Sequence, residues 1–381
     1  MARLGDLCNV LNGYAFKSEQ YVDNGVRIIR ITNVQKGYIE DSAPVFCPIN
    51  NSEYKKYELK EGDLLMSLTG NVGRVALLQK QFLPAALNQR VACLRIKDET
   101  ILSKSFLFNY LNSDYFENKC IESAKGVAQK NMSTEWLKEY DIPLFAIEKQ
   151  ERISNELYTI SNLISLRKQQ LSKLDELVKS RFIEMFGDCK ESRKLEEYAV
   201  LITKGASPKW QGFDYCDEGV LFVTSENVRE GFLDLSKRKY LPQGINDILP
   251  RSVLKKNDIL INIVNASIGR AAIYDSDELA NINQAVALVR LKPNVLNLSF
   301  LLTYLNSDEA CASYDFMKVG GDKANLSLKN ISDLKIPVAS MERQLEFESF
   351  KKQVDKSKFE IQKSLEKLET LKKALMQKYF E

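Results

Sequence analysis

Two long stretches without glycine or proline constrain this chain more than any other feature. The first runs from about Glu148 to Phe186, and its apolar residues recur at alternating spacings of four and three. That period predicts a helix with a coiled-coil face, about 55 Å long at about 1.5 Å per residue. Arg167 interrupts an apolar seam that consists of Ile153, Leu157, Ile160, Ile164, Leu171, Leu174 and Val178.

The second stretch, residues 341–381, repeats the first without a gap at an offset of 194 residues, so that Gln150 matches Gln344. Two such helices in one chain most simply bury their seams against each other. Three seam positions that are apolar in the first copy carry lysine in the second, namely Lys351, Lys358 and Lys372. Either the stems of these lysines snorkel along the seam or the pairing of the helices is offset.

The segments before the two helices are also copies of each other. FLFNYLNSD at Phe106–Asp114 corresponds to FLLTYLNSD at Phe300–Asp308, again at an offset of 194. Each copy opens with a short helical pattern that ends at a glycine, Gly13 or Gly205, and continues with strand and turn patterns. A period this long indicates a duplicated domain pair rather than a solenoid of short repeats.

The chain order is therefore globule, helix, globule, helix, with predicted parts 1–147, 148–186, 187–341 and 342–381. We predict an α+β protein with two similar mixed α/β domains, separated by two long helices whose seams pack against each other as a coiled coil. Such a duplicated arrangement has an internal pseudo-twofold axis. DNA also has local twofold axes, and proteins with twofold symmetry read paired half-sites about one turn or more apart.

Composition excludes several classes of site. Histidine is absent, which removes imidazole acid–base chemistry and histidine zinc sites. The seven cysteines form no CxxC pair, and we expect them to be buried small hydrophobes. Neither a signal peptide nor a run of about 20 apolar residues is evident, so we expect a cytoplasmic protein without membrane attachment. The net charge of +3 means that any nucleic-acid surface is local.

The order of these motifs, repeated twice, resembles the specificity subunit of type I restriction-modification enzymes. The residues that carry the resemblance are IPL before EKQERI, the YLNSD pair, GDLLMSLTGNVGR, and NQ ahead of a strand. The resemblance implies two target recognition domains, each reading one half of a bipartite, asymmetric sequence in double-stranded DNA. It also implies that the two helices pair as an antiparallel coiled coil, set the spacing and dock two methyltransferase subunits, which two restriction subunits can join.

The same resemblance implies that this chain carries no catalytic residue, cofactor or metal of its own. S-adenosylmethionine, ATP and magnesium are expected in the partner subunits, which methylate adenine and cleave DNA. The sequence agrees, because it has neither the Pro-Pro pair of an adenine methyltransferase motif nor a GxxxxGK[ST] loop for ATP.

Candidate DNA-binding residues come from loops that combine glycine with basic or amide side chains, because Lys and Arg bind phosphates while Arg, Asn and Gln read bases. In the first half the candidates are Lys17, Arg74, Gln89, Arg90, Lys125 and Lys130. In the second half they are Lys204, Lys209, Arg270, Gln284, Lys318 and Lys323.

Structural interpretations compete at several of these positions. Gly73 with Arg74 also fits a hairpin turn, and the Asn-Gln pairs that begin at Asn88 and Asn283 also fit amides that tie a strand to a loop. Two domains that read different half-sites should differ where they read, so elements shared by both halves are better candidates for scaffold. By that argument the stronger reader candidates are Lys17, Lys125, Gln129, Trp210 and Asp322, with Trp210 alternatively an anchor beneath a loop.

The first long helix has apolar residues beyond its seam, at Leu163, Leu166, Leu177, Phe182 and Ile183. They fit either core contacts with the flanking globules or a docking face for a methyltransferase subunit. At the level of the whole chain, the alternative function is a duplicated coiled-coil scaffold or adaptor that binds protein partners.

Overall fold

The computed structural model describes residues 1–49, 53–124, 131–320 and 324–381. The chain forms two compact units, Met1–Lys168 with Lys363–Glu381, and Gln169–Gln362. The predicted four-part division treats the long helices as separate parts, whereas each compact unit contains a globular part together with a segment of both helices. The reason is that the helix segments share the hydrophobic cores of the globular parts, as described below.

The globular part of the first unit is built on two sheets. Its strands are β1 (Ala2–Arg3), β2 (Cys8–Asn12), β3 (Val26–Ile29), β4 (Phe46–Cys47), β5 (Leu64–Ser67), β6 (Val75–Leu77), β7 (Ala85–Leu87), β8 (Val91–Ile96) and β9 (Asp141–Ile142). An antiparallel sheet has the order β2-β8-β5-β6, and a mixed sheet has the order β4-β3-β7 with β3 and β7 parallel. Strands β1 and β9 form a separate antiparallel pair.

The second unit repeats this topology strand for strand. Its strands are β10 (Ser192–Lys194), β11 (Ala199–Lys204), β12 (Val220–Val223), β13 (Tyr240–Leu241), β14 (Asp258–Asn262), β15 (Ala271–Tyr274), β16 (Ala280–Ile282), β17 (Val286–Leu291) and β18 (Lys335–Pro337). The sheets are β11-β17-β14-β15, β13-β12-β16 with β12 and β16 parallel, and the pair β10-β18. The predicted duplication of a mixed α/β domain is confirmed.

Short helices cover the sheets, and two long helices follow the globular parts. They are α1 (Leu4–Leu7), α2 (Lys104–Leu111), α3 (Asp114–Ser123), α4 (Thr134–Glu139), α5 (Ile147–Phe186), α6 (Leu195–Tyr198), α7 (Ile245–Ile248), α8 (Leu298–Leu305), α9 (Asp308–Met317), α10 (Leu328–Asp333) and α11 (Met341–Phe380). The YLNSD motif ends α2 and α8, and its serine caps the next helix in both units, since Ser113 and Ser307 accept hydrogen bonds from the first turn.

The helical pattern predicted up to Gly13 and Gly205 is wrong beyond the first turn. Helix α1 ends at Leu7 and α6 at Tyr198, and the next residues form β2 and β11. These strands are edge strands that pair along the whole of β8 or β17. A local helical period in so short a segment is overridden by the backbone hydrogen bonds that the neighbouring strand offers.

A buried carboxylate fixes the same corner of the sheet in each unit. Asp63 accepts two hydrogen bonds from the Arg95 guanidinium at 2.8 and 2.6 Å, and a third from the Lys60 backbone N–H at 2.8 Å. Asp258 and Arg290 make the equivalent bidentate pair at 2.7 and 2.7 Å. The hydrogen bonds to the carboxylate raise the pKa of each arginine still further, because they favour the charged guanidinium.

The two long helices run antiparallel within each unit. In the first unit, Glu156 of α5 accepts a hydrogen bond from Tyr379 of α11 at 2.6 Å, and further along α5 Lys168 pairs with the earlier Glu369 at 3.0 Å. In the second unit, Arg181 of α5 contacts Glu346 of α11 at 2.9 Å. The predicted seam of α5 is buried or half-buried along its length, and the predicted antiparallel pairing is confirmed.

The seam lysines of α11 snorkel rather than shift the pairing. Lys358 reaches Asp175 of α5, and Lys351 reaches Asp355 on its own helix. Lys372 is half-buried in the first unit, where burial, followed by the charges of Lys168 and Lys36, lowers the pKa of its ammonium.

The cysteines follow the expectation of burial only in part. Cys8, Cys47, Cys93 and Cys120 are buried, and burial raises the pKa of Cys8 and of Cys120 to about 12. A separate group of three is not buried: Cys189 and Cys216 are partly exposed, and Cys311 is exposed. Cys311 lies on the outer face of α9, where packing does not require a small apolar side chain.

Candidate nucleic-acid interface

The loops predicted to bind DNA lie side by side at one edge of the first unit. The turn between β7 and β8 is central, because the Gln89 N–H donates to the Tyr14 carbonyl at 2.9 Å and the Leu68 N–H donates to the Arg90 carbonyl at 3.0 Å. Beyond it, the Met132 N–H donates to the Leu68 carbonyl at 2.9 Å. Backbone hydrogen bonds therefore join segments that are distant in sequence into one continuous edge.

The second unit builds the same edge with its own loops. The Ile263 N–H donates to the Ala285 carbonyl at 3.0 Å, and the Leu326 N–H donates to the Ile263 carbonyl at 2.9 Å. The next loop is held as well, because the Asn265 N–H donates to the Ala324 carbonyl at 2.8 Å. Four loop segments meet at this edge, as they do in the first unit.

Close backbone approach explains the glycines shared by the two edges. A Cβ atom on Gly13 would overlap the backbone of Asn88, and one on Gly205 would overlap the backbone of Ile282. Gly73 has a φ of +81° and packs against Cys120. These glycines allow loops to pack on loops, which is a scaffold role.

The exposed side chains on the first edge are Lys17, Gln89 and Arg90. Arg74 differs from them, because it is half-buried and its guanidinium donates to the Gln35 side chain. Gly73 and the backbone of Arg74 therefore form a turn, as the structural interpretation proposed. The Arg74 guanidinium is held by Gln35 of a neighbouring turn.

On the second edge, Lys204, Lys209, Arg270 and Gln284 are exposed. Lys318 is exposed too, but its ammonium pairs with Asp315 at 2.6 Å. An anion that approached Lys318 would have to compete with that carboxylate, whereas the Arg270 side chain has no hydrogen bond or ion pair with the described residues.

The Asn-Gln pairs divide into one structural amide and one exposed amide each. The side-chain oxygen Oδ1 of Asn88 accepts from the Arg90 N–H at 3.3 Å, and Oδ1 of Asn283 accepts from the Ala285 N–H at 3.1 Å. The asparagines thus close the turn in both units, as the structural interpretation proposed. Gln89 and Gln284 are exposed, and their side chains make no hydrogen bond with the described residues.

Five predicted residues lie outside the described part of the chain. Lys125, Gln129 and Lys130 belong to the undescribed segment 125–130, and Asp322 and Lys323 belong to 321–323. The segments that flank them do join the edges, through a bridge between Thr69 and Asn131 in the first unit and one between Val264 and Asn325 in the second.

Sequence reasoning missed two apolar side chains beside the second edge. Phe316 is 92% exposed and Val319 is 76% exposed. Val319 exchanges backbone hydrogen bonds with Asn325 at 3.1 and 3.0 Å, and Asn325 bridges to Val264 of the neighbouring loop. Neither residue is charged or carries an amide, so the criteria for DNA-binding loops do not include them. The cue in the sequence is the presence of apolar residues shortly before a glycine pair, in DFMKVGG.

The predicted docking face of α5 needs one correction. Phe182 is only 6% exposed, because its ring packs against Phe186, Phe300 and Phe347 in the core of the second unit. The other four members remain at the surface: Leu163, Leu166, Leu177 and Ile183 are between 40% and 68% exposed. Ile183 lies on the rim of a groove of about 830 Å³ whose apolar lining includes Phe232 and Leu302.

Within the described residues, no group of three or more Cys, Asp or Glu side chains is arranged to hold a metal ion. None of the helices in the same part of the chain is long and apolar enough to cross a membrane.

Comparison with known proteins identifies the class of this chain. The family model of the type I restriction modification DNA specificity domain matches residues 1–176 and 192–373. The EcoBI specificity subunit of Escherichia coli is 25% identical over an alignment that covers 90% of this chain and 76% of that subunit. The EcoAI specificity subunit of Escherichia coli is 33% identical over 183 residues, which are 47% of this chain and 28% of that protein.

Solved structures share the fold over the full length of the chain. One comes from work on complex assembly and conformational transition of a type I restriction-modification system, with a TM-score of 0.65, 18% identity, and coverage of 100% of this chain and 96% of the other. The other is a specificity subunit from M. genitalium, with a TM-score of 0.55, 16% identity, and coverage of 100% and 95%. Because the two family matches span nearly the whole sequence, this chain belongs to the type I restriction modification DNA specificity family and is a non-catalytic DNA-recognition subunit of such an enzyme.

Proposed function

We propose that each unit reads one half of a bipartite, asymmetric DNA sequence through its loop edge. The observation that carries this proposal is that both units build the same hydrogen-bonded edge and then present different side chains on it. The Asn-Gln turn continues into Arg90 in the first unit and into Ala285 in the second, and the loop after the shared glycine carries Ser18 in the first unit and Trp210 in the second. A shared scaffold with different side chains fits two domains that bind duplex DNA alike and read different bases.

The long helices set the distance between the half-sites and dock two methyltransferase subunits. Support comes from the exposed apolar residues of α5. Single exposed apolar residues are common on protein surfaces, but several on one helix face form a patch that is typical of a protein–protein contact. Leu163, Leu166 and Leu177 lie within about 60° of one another around the helix axis at 100° per residue. The partner subunits supply S-adenosylmethionine, ATP and magnesium, two restriction subunits join them, and the assembly acts on cytoplasmic DNA.

The adaptor alternative predicts a different response to salt. If the edges bind duplex DNA through lysine and arginine, then affinity falls steeply as salt rises, because binding releases counterions. A protein adaptor would be nearly indifferent to added duplex. A gel-shift titration between about 50 and 200 mM salt separates the two functions.

The direct test maps the methylated sequence. The chain is co-expressed with the methyltransferase subunit of its own genome, and adenine methylation is mapped across the host DNA by single-molecule sequencing. We expect a motif of two short specific segments around a fixed unspecific gap. Methylation that is unaltered by deletion of this chain, together with no duplex binding at low salt, would reject the proposal.

Leu177→Asp tests the docking face. Leu177 is 47% exposed, so the substitution should abolish co-purification with the methyltransferase subunit while the melting temperature of the isolated chain stays within about 2 °C. Ser172→Asp is the matched control, because it adds the same charge at an exposed position about 140° away around the helix. Equal retention of the partner by both variants would remove this surface from the proposal.

A further inference from the structure

Trp210 stands at the apex of a tight turn on the second edge. Its side chain is 89% exposed, which excludes the interpretation of an anchor beneath a loop. The turn is closed by three backbone hydrogen bonds: Gln211 and Phe213 N–H donate to the Pro208 carbonyl at 2.9 and 3.0 Å, and Gly212 N–H donates to the Lys209 carbonyl at 3.2 Å. Gly212 has a φ of +78°, which lets the chain reverse there.

The turn is fixed to the scaffold on both sides of the indole. Pro208 is buried, and Phe213 packs with the core cluster that includes Val220 and Phe222. On the side before the turn, Gly205 lies against the backbone of Ile282. The backbone that carries Trp210 is therefore held in place, and the exposed ring does not result from a loosely attached loop.

The corresponding loop of the first unit treats its aromatic residue differently. Counted from the matched glycines Gly13 and Gly205, a local offset of 192, Trp210 corresponds to Ser18, and the aromatic residue of that loop is Phe16. The Phe16 ring is half-buried and packs against Tyr14 and Tyr54, with ring centroids 5.0 Å apart in each pair. No ring pair of this kind involves Trp210 within the described residues. The loop of the first unit thus packs its aromatic ring, whereas the loop of the second unit presents one to solvent.

We infer that Trp210 is a specificity-determining residue of the second unit, and that its indole inserts partly between two stacked base pairs of the half-site. The inference rests on the proposed function, because it assigns the ligand as duplex DNA. The adjacent Lys209 and the nearby strand end at Lys204 supply cations for the phosphates that flank such a step, and Gln284 supplies an amide at the neighbouring turn.

The physical reason is the energetic asymmetry of DNA steps. An apolar wedge that enters between bases unstacks them and kinks the duplex, and pyrimidine–purine steps unstack most easily. A wedge therefore discriminates sequence without hydrogen bonds to base edges. A lone tryptophan on a preorganised turn beside lysines has the shape and polarity for that role, since its large ring loses little freedom on binding.

The sequence allows Trp210 to be observed separately, because the chain contains two tryptophans. The other is Trp136, which is half-buried against Tyr140 in the first unit. Trp136→Phe in the full-length chain leaves Trp210 as the sole tryptophan. Its fluorescence is titrated with a duplex that carries the mapped methylation motif, and with a second duplex in which 2-aminopurine replaces one adenine of the half-site.

We expect the Trp210 emission to be quenched and protected from acrylamide on binding, while 2-aminopurine emission rises as its neighbours unstack. Duplex binding by gel shift with unchanged Trp210 emission and unchanged 2-aminopurine emission would overturn the inference and leave the proposed function intact. Absence of any duplex binding would instead defeat the proposed function. Quenching of Trp210 without a rise in 2-aminopurine emission would contradict insertion.

Trp210→Ala should weaken binding to the cognate duplex about tenfold or more, as expected for the loss of one base–aromatic contact, and leave the melting temperature unchanged. Trp210→Phe should recover part of the loss. Phe359→Ala is the control, because Phe359 is also an exposed aromatic residue and lies on α11 of the same unit. Equal weakening on cognate and unrelated duplexes would show a general contact and reject a role in specificity.

Discussion

Gln150 and Gln344 show how one residue type joins a helix to a globule in both units. The Gln150 amide oxygen accepts from the Ser103 N–H at 2.9 Å, and its NH₂ donates to the carbonyls of Ile101 and Phe145 at 2.9 and 2.7 Å. Gln344 repeats the pattern with Asn297. Both side chains are buried, and each satisfies backbone groups that would otherwise lose water without a partner.

Replacement of Gln150 by leucine keeps the volume and removes these hydrogen bonds. We expect a loss of about 3 kcal/mol in the free energy of unfolding of the first unit, because the Ser103 N–H and the carbonyls of Ile101 and Phe145 lose their hydrogen-bond partner. Denaturant unfolding, followed by hydrogen exchange of residues 1–168, measures the loss. Gln169→Leu on the exposed side of the same helix is the control, and an equal effect of the two substitutions would contradict the assigned role.

At the level of elements, the seam of α11 contains a lysine, Lys372, whose burial destabilises the folded state. Lys372 is half-buried and has its pKa lowered, mainly by burial. A lowered pKa means that the protonated amine is less stable in the folded state than in the unfolded state. The resulting loss of folding stability is therefore present at neutral pH. Stability should rise as the pH increases from the lowered pKa toward the ordinary value of 10.5.

Lys372→Leu restores the apolar character that the seam has at Val178 in the first copy. We expect the free energy of unfolding of the first unit to increase by about 1 kcal/mol at pH 7.5, with the advantage shrinking as the pH approaches 10. Thermal melts at both pH values measure it. Lys367→Leu alters an exposed lysine of the same helix, and a comparable gain there would argue against relief of a buried charge.

At the level of the molecule, the C-terminal residues complete a core that begins at Leu4. Phe380 is buried between Phe106 and Tyr110, with ring centroids 5.7 and 5.5 Å apart. Tyr379 donates to Glu156 at 2.6 Å. The first unit is therefore discontinuous in sequence, and its stability depends on residues more than 200 positions away.

A chain that ends at Gln362 should lose protection from hydrogen exchange throughout residues 1–168, while residues 169–362 keep theirs. Phe380→Ala should cost the first unit about 3 to 4 kcal/mol, since it leaves a cavity in an aromatic core. Gln377→Ala, at an exposed position of the same helix turn, should cost less than about 0.5 kcal/mol. Uniform loss of protection across both units would contradict the division of the chain into two compact units.

Exchange of residues 1–147 for another recognition domain of the family should change one half of the methylated motif and leave the other half and the gap unchanged. The physical reason is that the loop edge of the second unit is built entirely from residues 204–326. Methylation mapping of the chimera measures the outcome. A change in both halves would show that the two units do not read independently.

The sequence by itself determined the features that arise from periodicity and repetition. A seam with spacings of four and three can be buried only on one face of a helix, so α5 and α11 were predictable to within one or two residues. The offset of 194 required both globular parts to share a topology, and the matched glycines indicated where loops approach closely. The family resemblance also rested on this repeated order of motifs.

Tertiary structure alone decided which of several apolar or polar residues face inward. Phe182 and Leu177 look alike in the sequence, yet α8 and α11 cover the first and leave the second in solvent. The loops that follow Gly13 and Gly205 each carry an aromatic residue, but neighbouring tyrosines bury part of Phe16, and within the described residues no ring covers Trp210. Burial depends on which segments the fold places alongside a residue, and local sequence does not contain that information.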